Sequence, residues 1–106
     1  MKMTRRVHTH KALLEVLARA KPKLRKSILR GVDKEAICTL CEISHNLLNG
    51  AVPLSAAQIA KLAKHKRPLR RLAQRGEGWQ RKREFIDENG SAFLPVLLNT
   101  ILAALQ

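Results

Sequence analysis

Apolar residues recur along this chain at intervals of three and four, which is the spacing of one face of an α-helix. They rarely alternate as a half-buried strand requires, and β-branched residues are scattered rather than clustered. Thr9 is placed to cap a helix running to about Ala20, with Leu13, Leu14, Val16 and Leu17 inside it. Pro22 suits the first turn of a second helix and Gly31 its end. That helix sets Leu24, Ile28 and Leu29 on one side. The clearest element begins at Asp33, a good N-cap, with Glu35 in the first turn. Ala36, Ile37, Leu40, Cys41, Ser44, Leu47 and Leu48 follow at helical spacing, and Gly50 closes the run.

Val52-Pro53-Leu54 reads as an extended link. Ser55 with Gln58 then forms a capping box for a helix whose inward stripe is Ile59, Leu62 and Ala63. Pro68 interrupts the pattern, and Leu69, Leu72 and Ala73 resume it. Gly76 and Gly78 mark a turn, after which Trp79 to Glu88 is expected as a short helix. The last stretch carries Phe93, Leu94, Leu97, Leu98, Ile101, Leu102 and Leu105 on one stripe. These signals predict an all-α fold, a small helical bundle of about five to six short helices with an apolar C-terminal helix.

Charge divides the chain more sharply than hydropathy does. The 106 residues include 21 Lys and Arg against 8 Asp and Glu, a formal net charge of +13. Eleven of the cations fall between Met1 and Lys34, none between Glu35 and Ala60, and ten between Lys61 and Arg83. No charged side chain follows Glu88. The expected organisation is a basic arm over 1–8, a basic helical domain over 9–88 and an apolar helix or tail over 89–106.

A body with this excess repels itself, and a polyanion relieves the repulsion. DNA, RNA and an anionic membrane are the candidates. Lys61, Lys64, Lys66, Arg67, Arg70, Arg71 and Arg75 recur at helical intervals and build a cationic face with few interspersed acids. Lys23, Arg25, Lys26 and Arg30 give a second, less sharply defined set, with Arg5, Arg6, Lys11, Arg19 and Lys21 around them. If about eight phosphates were neutralised, affinity would fall with salt at a log–log slope near −7. Such contacts hold phosphate without reading sequence. Aromatics are limited to Trp79, Phe85 and Phe93, so base stacking is a minor resource.

Other chemistry finds little footing. Cys38, Cys41 and His45 share roughly one helix face, and zinc would need a fourth ligand such as His8 or His10. Core packing is the simpler account of the cysteines, which behave as small hydrophobes when buried. Two cysteines make no disulfide framework, and no apolar signal stretch follows Met1 to His10, which together favour a reducing compartment, cytosol or nucleus. No Gly-rich phosphate loop or nucleophile–base pair is apparent, so neither an enzyme nor a cofactor is expected. The tail is short for a bilayer span, and Pro95 and Asn99 weaken that reading further. Its stripe can pack into the core, contact a membrane or dock on a partner.

Several short stretches, taken in order, resemble a known group. They are Ala20-Lys21-Pro22-Lys23-Leu24-Arg25-Lys26, Leu40-Cys41-Glu42, Leu47-Leu48-Asn49-Gly50-Ala51-Val52-Pro53-Leu54, the run Leu62 to Leu72, and the closing Phe93-Leu94-Pro95. Together they resemble the protein-X-like (mu-like) core proteins of Polinton/Maverick elements and adintoviruses, which are related to adenoviruses. The resemblance implies a virion core protein that binds and condenses double-stranded viral DNA, located in the virion core and the host nucleus, with capsid proteins as further partners. The rival expectations are a membrane-active protein working through the apolar tail and a helical adaptor that binds an acidic protein.

Overall fold

The computed structural model describes residues 5–50 and 52–104, with all side chains in these ranges except those of residues 5, 6 and 91. Seven helices follow one another among them: α1 (Arg5–Thr9), α2 (Lys11–Arg19), α3 (Pro22–Gly31), α4 (Lys34–Leu48), α5 (Ala56–Ala63), α6 (Lys66–Ala73) and α7 (Trp79–Ala104). The described residues contain no strand, so the all-α expectation holds at the level of class. The expected count of five to six short helices does not. Seven are found among the described residues, and α7 runs for 26 residues.

The local signals behind these elements are mostly ordinary capping chemistry. Asp33 accepts the Ala36 amide at 3.0 Å and starts α4. Ser55 accepts the Gln58 amide, and Gln58 Oε1 accepts the Ser55 amide, closing the capping box of α5. Pro22 occupies the first turn of α3, where its missing N–H costs nothing. Gly50, at φ 71°, takes the left-handed turn beyond α4.

Thr9 does not cap the second helix. It ends α1, and His10 takes the N-cap position of α2 without a side-chain cap bond. Nor does Pro68 interrupt a helix. The break falls earlier, at Lys64–His65, and Pro68 lies in the first turn of α6, where the first four N–H groups have no intrahelical partner to lose.

α7 organises the body. It packs against α2, α3, α4 and α5, while α4 also packs on α6 and α1. Ile86, Phe93, Leu94, Leu97, Leu98 and Ile101 of α7 are buried with Leu14, Leu17, Leu29, Ile37, Leu40, Ile43, Leu69 and Leu72 in one core. Each fully buried Leu or Ile contributes about 1.5–3 kcal/mol relative to exposure. The short helix expected over residues 79–88 and the separate tail from residue 89 are one continuous helix, with Pro95 inside it. The change from charged to uncharged sequence at Asn89 marks a change in burial along a single element. Gly90 helps it pack, since a Cβ there would lie 2.9 Å from the Leu94 side chain.

Buried hydroxyls in this core find carbonyl partners. Thr39, Ser44 and Thr100 donate to the carbonyls of Glu35, Leu40 and Val96, each four residues back. Three stripes are less inward than their spacing predicts. Leu62 is buried, but Ile59 is 56% exposed and Ala63 also faces out. Leu48 and Leu24 are exposed as well.

Candidate nucleic-acid interface

The segment between Glu42 and Glu77 contains seven Lys and Arg and no Asp or Glu. All seven cations fall on α5, α6 and the turns beside them. Leu62, Leu69 and Leu72 anchor these two helices in the core. The remaining positions are thereby turned outward, and Lys61, Lys64, Lys66, Arg67, Arg70 and Arg75 are exposed. The N-terminal end of α6 concentrates the effect. Lys66 and Arg67 stand in its first turn, no acid joins them, and His65 supplies no side-chain cap. Two cations and the positive end of the helix dipole share one place, an arrangement that an anion stabilises.

Arg71 differs from its neighbours. Its guanidinium donates through Nε and Nη2 to the two carboxylate oxygens of Glu77, at 3.3 and 3.1 Å. It also lies over the Phe85 ring, 4.3 Å from the centroid. The hydrogen bond from Arg71 holds the Glu77 carboxyl below the usual carboxylate range, and Glu77 in turn raises Arg71. Arg71 is exposed but already engaged, so it ties α6 to the turn before α7.

The first basic set divides in the same way. Lys23, Lys26 and Arg30 are exposed, and Arg30 has Asp87 at 3.8 Å as a loose partner. Arg25 is turned inward, against the expectation that it faces phosphate. It is 5% exposed, its Nε donates to the Leu17 carbonyl at 2.8 Å, and its Nη2 donates to the Ala20 carbonyl at 2.7 Å. Those are carbonyls at the end of α2, which α2 itself cannot satisfy. Lys82 does the same for α6, donating from Nζ to Leu72 O at 2.8 Å and Gln74 O at 2.6 Å. Its role was missing from the sequence expectation. Both cations lie four residues before a core residue, Leu29 and Ile86, and that placement on the buried face is the signal that marks them.

The apolar tail is also corrected. Phe93, Leu94, Leu97, Leu98 and Ile101 are buried and Leu102 is half-buried, so this stripe is core rather than a membrane or partner face. Leu105 lies outside the described residues, as do residues 1–4 of the expected basic arm. The side chains of Arg5 and Arg6 are likewise not among those described. Among the described residues, no helix is long and apolar enough to cross a membrane.

A cleft of about 640 Å³ opens between α4 and the turn before α7, with Cys38, Cys41, His45, Trp79 and Lys82 in its walls. Burial pushes the Cys41 thiol up, and the nearby Lys82 offsets this only in part. A protonated thiol is a poor nucleophile and a poor metal ligand. Among the described residues, no three His, Cys, Asp or Glu are grouped to hold a metal ion. Comparison with family models, curated proteins and solved structures finds no match to this chain.

Proposed function

We propose that this protein binds double-stranded DNA without sequence preference and condenses it, as a virion core component of the adenovirus-related elements whose protein-X-like proteins it resembles. One observation carries the reading. Between Glu42 and Glu77 the chain has seven cations and no acid, and six of those cations are exposed with no ion pair among the described residues. A helix surface kept soluble by charge mixes both signs. This one has a single sign over two successive helices. The contacts it offers are charge contacts, which position a protein on the phosphate backbone and carry no base readout.

Size and charge agree with condensation. The longest dimension of the body is 32 Å, close to one turn of B-DNA. That length of duplex carries about 19 phosphate charges at one per ~1.7 Å. One protein per turn, at a formal +13, would offset roughly two-thirds of them. The neighbours of a bound protein then face duplex whose self-repulsion is largely removed.

The test is a titration of nuclease-treated protein with unrelated duplex sequences over a range of salt. The expected result is equal affinity for all of them and a log–log salt slope near −5, for about six phosphates contacted by the free cations of α5 and α6. A slope near zero, or strong preference for one sequence, overturns the reading.

A further inference from the structure

The α5–α6 region presents a concave apolar feature as well as charge. Leu48, Leu54, Ile59, Leu62 and Leu69 are among the residues lining a groove of about 140 Å³, and Lys66 lines it with them. Only four large apolar side chains are substantially exposed among the described residues, and two of them, Leu48 and Ile59, line this groove. Ile59 is the most exposed of the four at 56%. A phosphate backbone has nothing apolar to insert here, so the DNA-binding reading leaves the groove unexplained.

We infer that this groove is a docking site for an acidic segment of another protein, entered by a single Phe or Leu side chain with Asp or Glu beside it. The volume sets the anchor: an apolar cavity of about 150 Å³ accommodates a benzene ring. The charge sets the flanks. The groove is built from residues 47–69, a stretch with Lys61, Lys64, Lys66 and Arg67 and no acid, so an approaching chain gains by carrying carboxylates.

The same field argues against a second copy of this protein, which would set Lys66 and its neighbours against their own kind at a net charge of +13 each. A membrane surface is a poor match for shape, because a one-side-chain concavity offers a bilayer little area. An apolar side chain seated in a well-packed pocket is the usual form of an interface hot spot.

The experiment selects a phage-displayed library of random peptides on the intact protein at moderate salt, in parallel with the Ile59→Asp variant. Ile59 is exposed, so the variant keeps the fold, which circular dichroism checks. The inference expects enriched peptides with Phe or Leu among acids. Synthetic copies should lose roughly tenfold or more in affinity when that residue becomes Ala, and a similar factor on Ile59→Asp. Duplex DNA affinity of the variant should change little by comparison, which separates this inference from the proposed function. Enrichment of acidic peptides that bind both proteins equally would reduce the groove to unspecific charge and overturn the inference. So would the absence of enrichment over the variant. Self-association in sedimentation that Ile59→Asp abolishes would assign the groove to a second copy. Binding to phosphatidylserine vesicles that the variant loses would assign it to a membrane.

Discussion

The two basic regions look alike in composition and differ in what their cations do. In α3, Arg25 turns inward and closes the end of α2, while Lys23, Lys26 and Arg30 stay outside. In α5 and α6 every cation is exposed, and Arg71 alone has a carboxylate partner among the described residues. The guanidinium is the same group in both places. What differs is whether unsatisfied carbonyls lie within reach. A buried cation with hydrogen-bond partners is structural, and replacing it exposes the desolvation cost of the groups it served. A solvated cation with no partner contributes little to folding and is available to an outside anion.

The largest effect is expected where the free cations are removed together. Lys64, Lys66, Arg67, Arg70 and Arg75 replaced by Gln should weaken duplex binding on the order of a thousandfold at low salt, and should flatten the salt slope by about one unit per residue. The urea midpoint should stay within a small margin of the parent. Loss of stability in step with loss of binding would mean these residues also hold the fold, and the contrast between the two regions would fail.

Arg25→Met should give the reverse pattern. Two carbonyls at the end of α2 lose their donor, which costs about 3 kcal/mol. For a chain of this size that lowers the melting temperature by roughly 10–20 °C. Duplex affinity, measured well below the transition, should hardly move. A stable Arg25→Met protein with weakened DNA binding would return Arg25 to the interface.

Glu77→Gln probes the case between these. Arg71 would be released from its carboxylate partner, and the surface would lose one acid. Duplex affinity at neutral pH is expected to rise by a factor of roughly two to five. The pH dependence has a definite sign. The folded Glu77 carboxyl lies below its ordinary value, so the pair stabilises the protein above the usual glutamate range and stops doing so as pH falls through the folded value. Urea midpoints of the parent and the variant should therefore differ at neutral pH and converge as the pH falls from the usual glutamate range through the lower, folded value. A gap that stays constant with pH would show that the carboxylate charge contributes nothing.

Much of the fold was legible from short-range chemistry. Asp33, the Ser55–Gln58 box and Pro22 act within three residues of themselves, and such signals survive any tertiary arrangement. The stripe through Ile37, Leu40 and Leu47 was equally plain. The inward roles of Arg25 and Lys82 were not, because their partners sit eight and ten residues away at the ends of other helices. Spacing relative to Leu29 and Ile86 hinted at them, but a helix rich in Lys and Arg makes a cation on the buried face look like any other.

The tail misled in the opposite direction. Its lack of charge suggested a separate unit, whereas the absence of charge reflects the space α7 fills between α2, α3, α4 and α5. In the candidate interface the cluster over residues 61–75 was found from sequence. The engagement of Arg71 and the groove beside Ile59 depend on how α5 and α6 are set against α4, which no local pattern specifies.

The position of α7 in the chain also governs the order of assembly. It follows the other six helices and carries Phe93, Leu94, Leu97 and Ile101 into the core. On a translating ribosome, chains lengthen at ~5–20 residues per second. The 26 residues of α7 therefore take about 1–5 seconds to add, while α6 already has α4, its main packing partner, in the chain. In that interval the cations of α5 and α6 are already in place on an unfinished body, and the arrival of α7 closes its core.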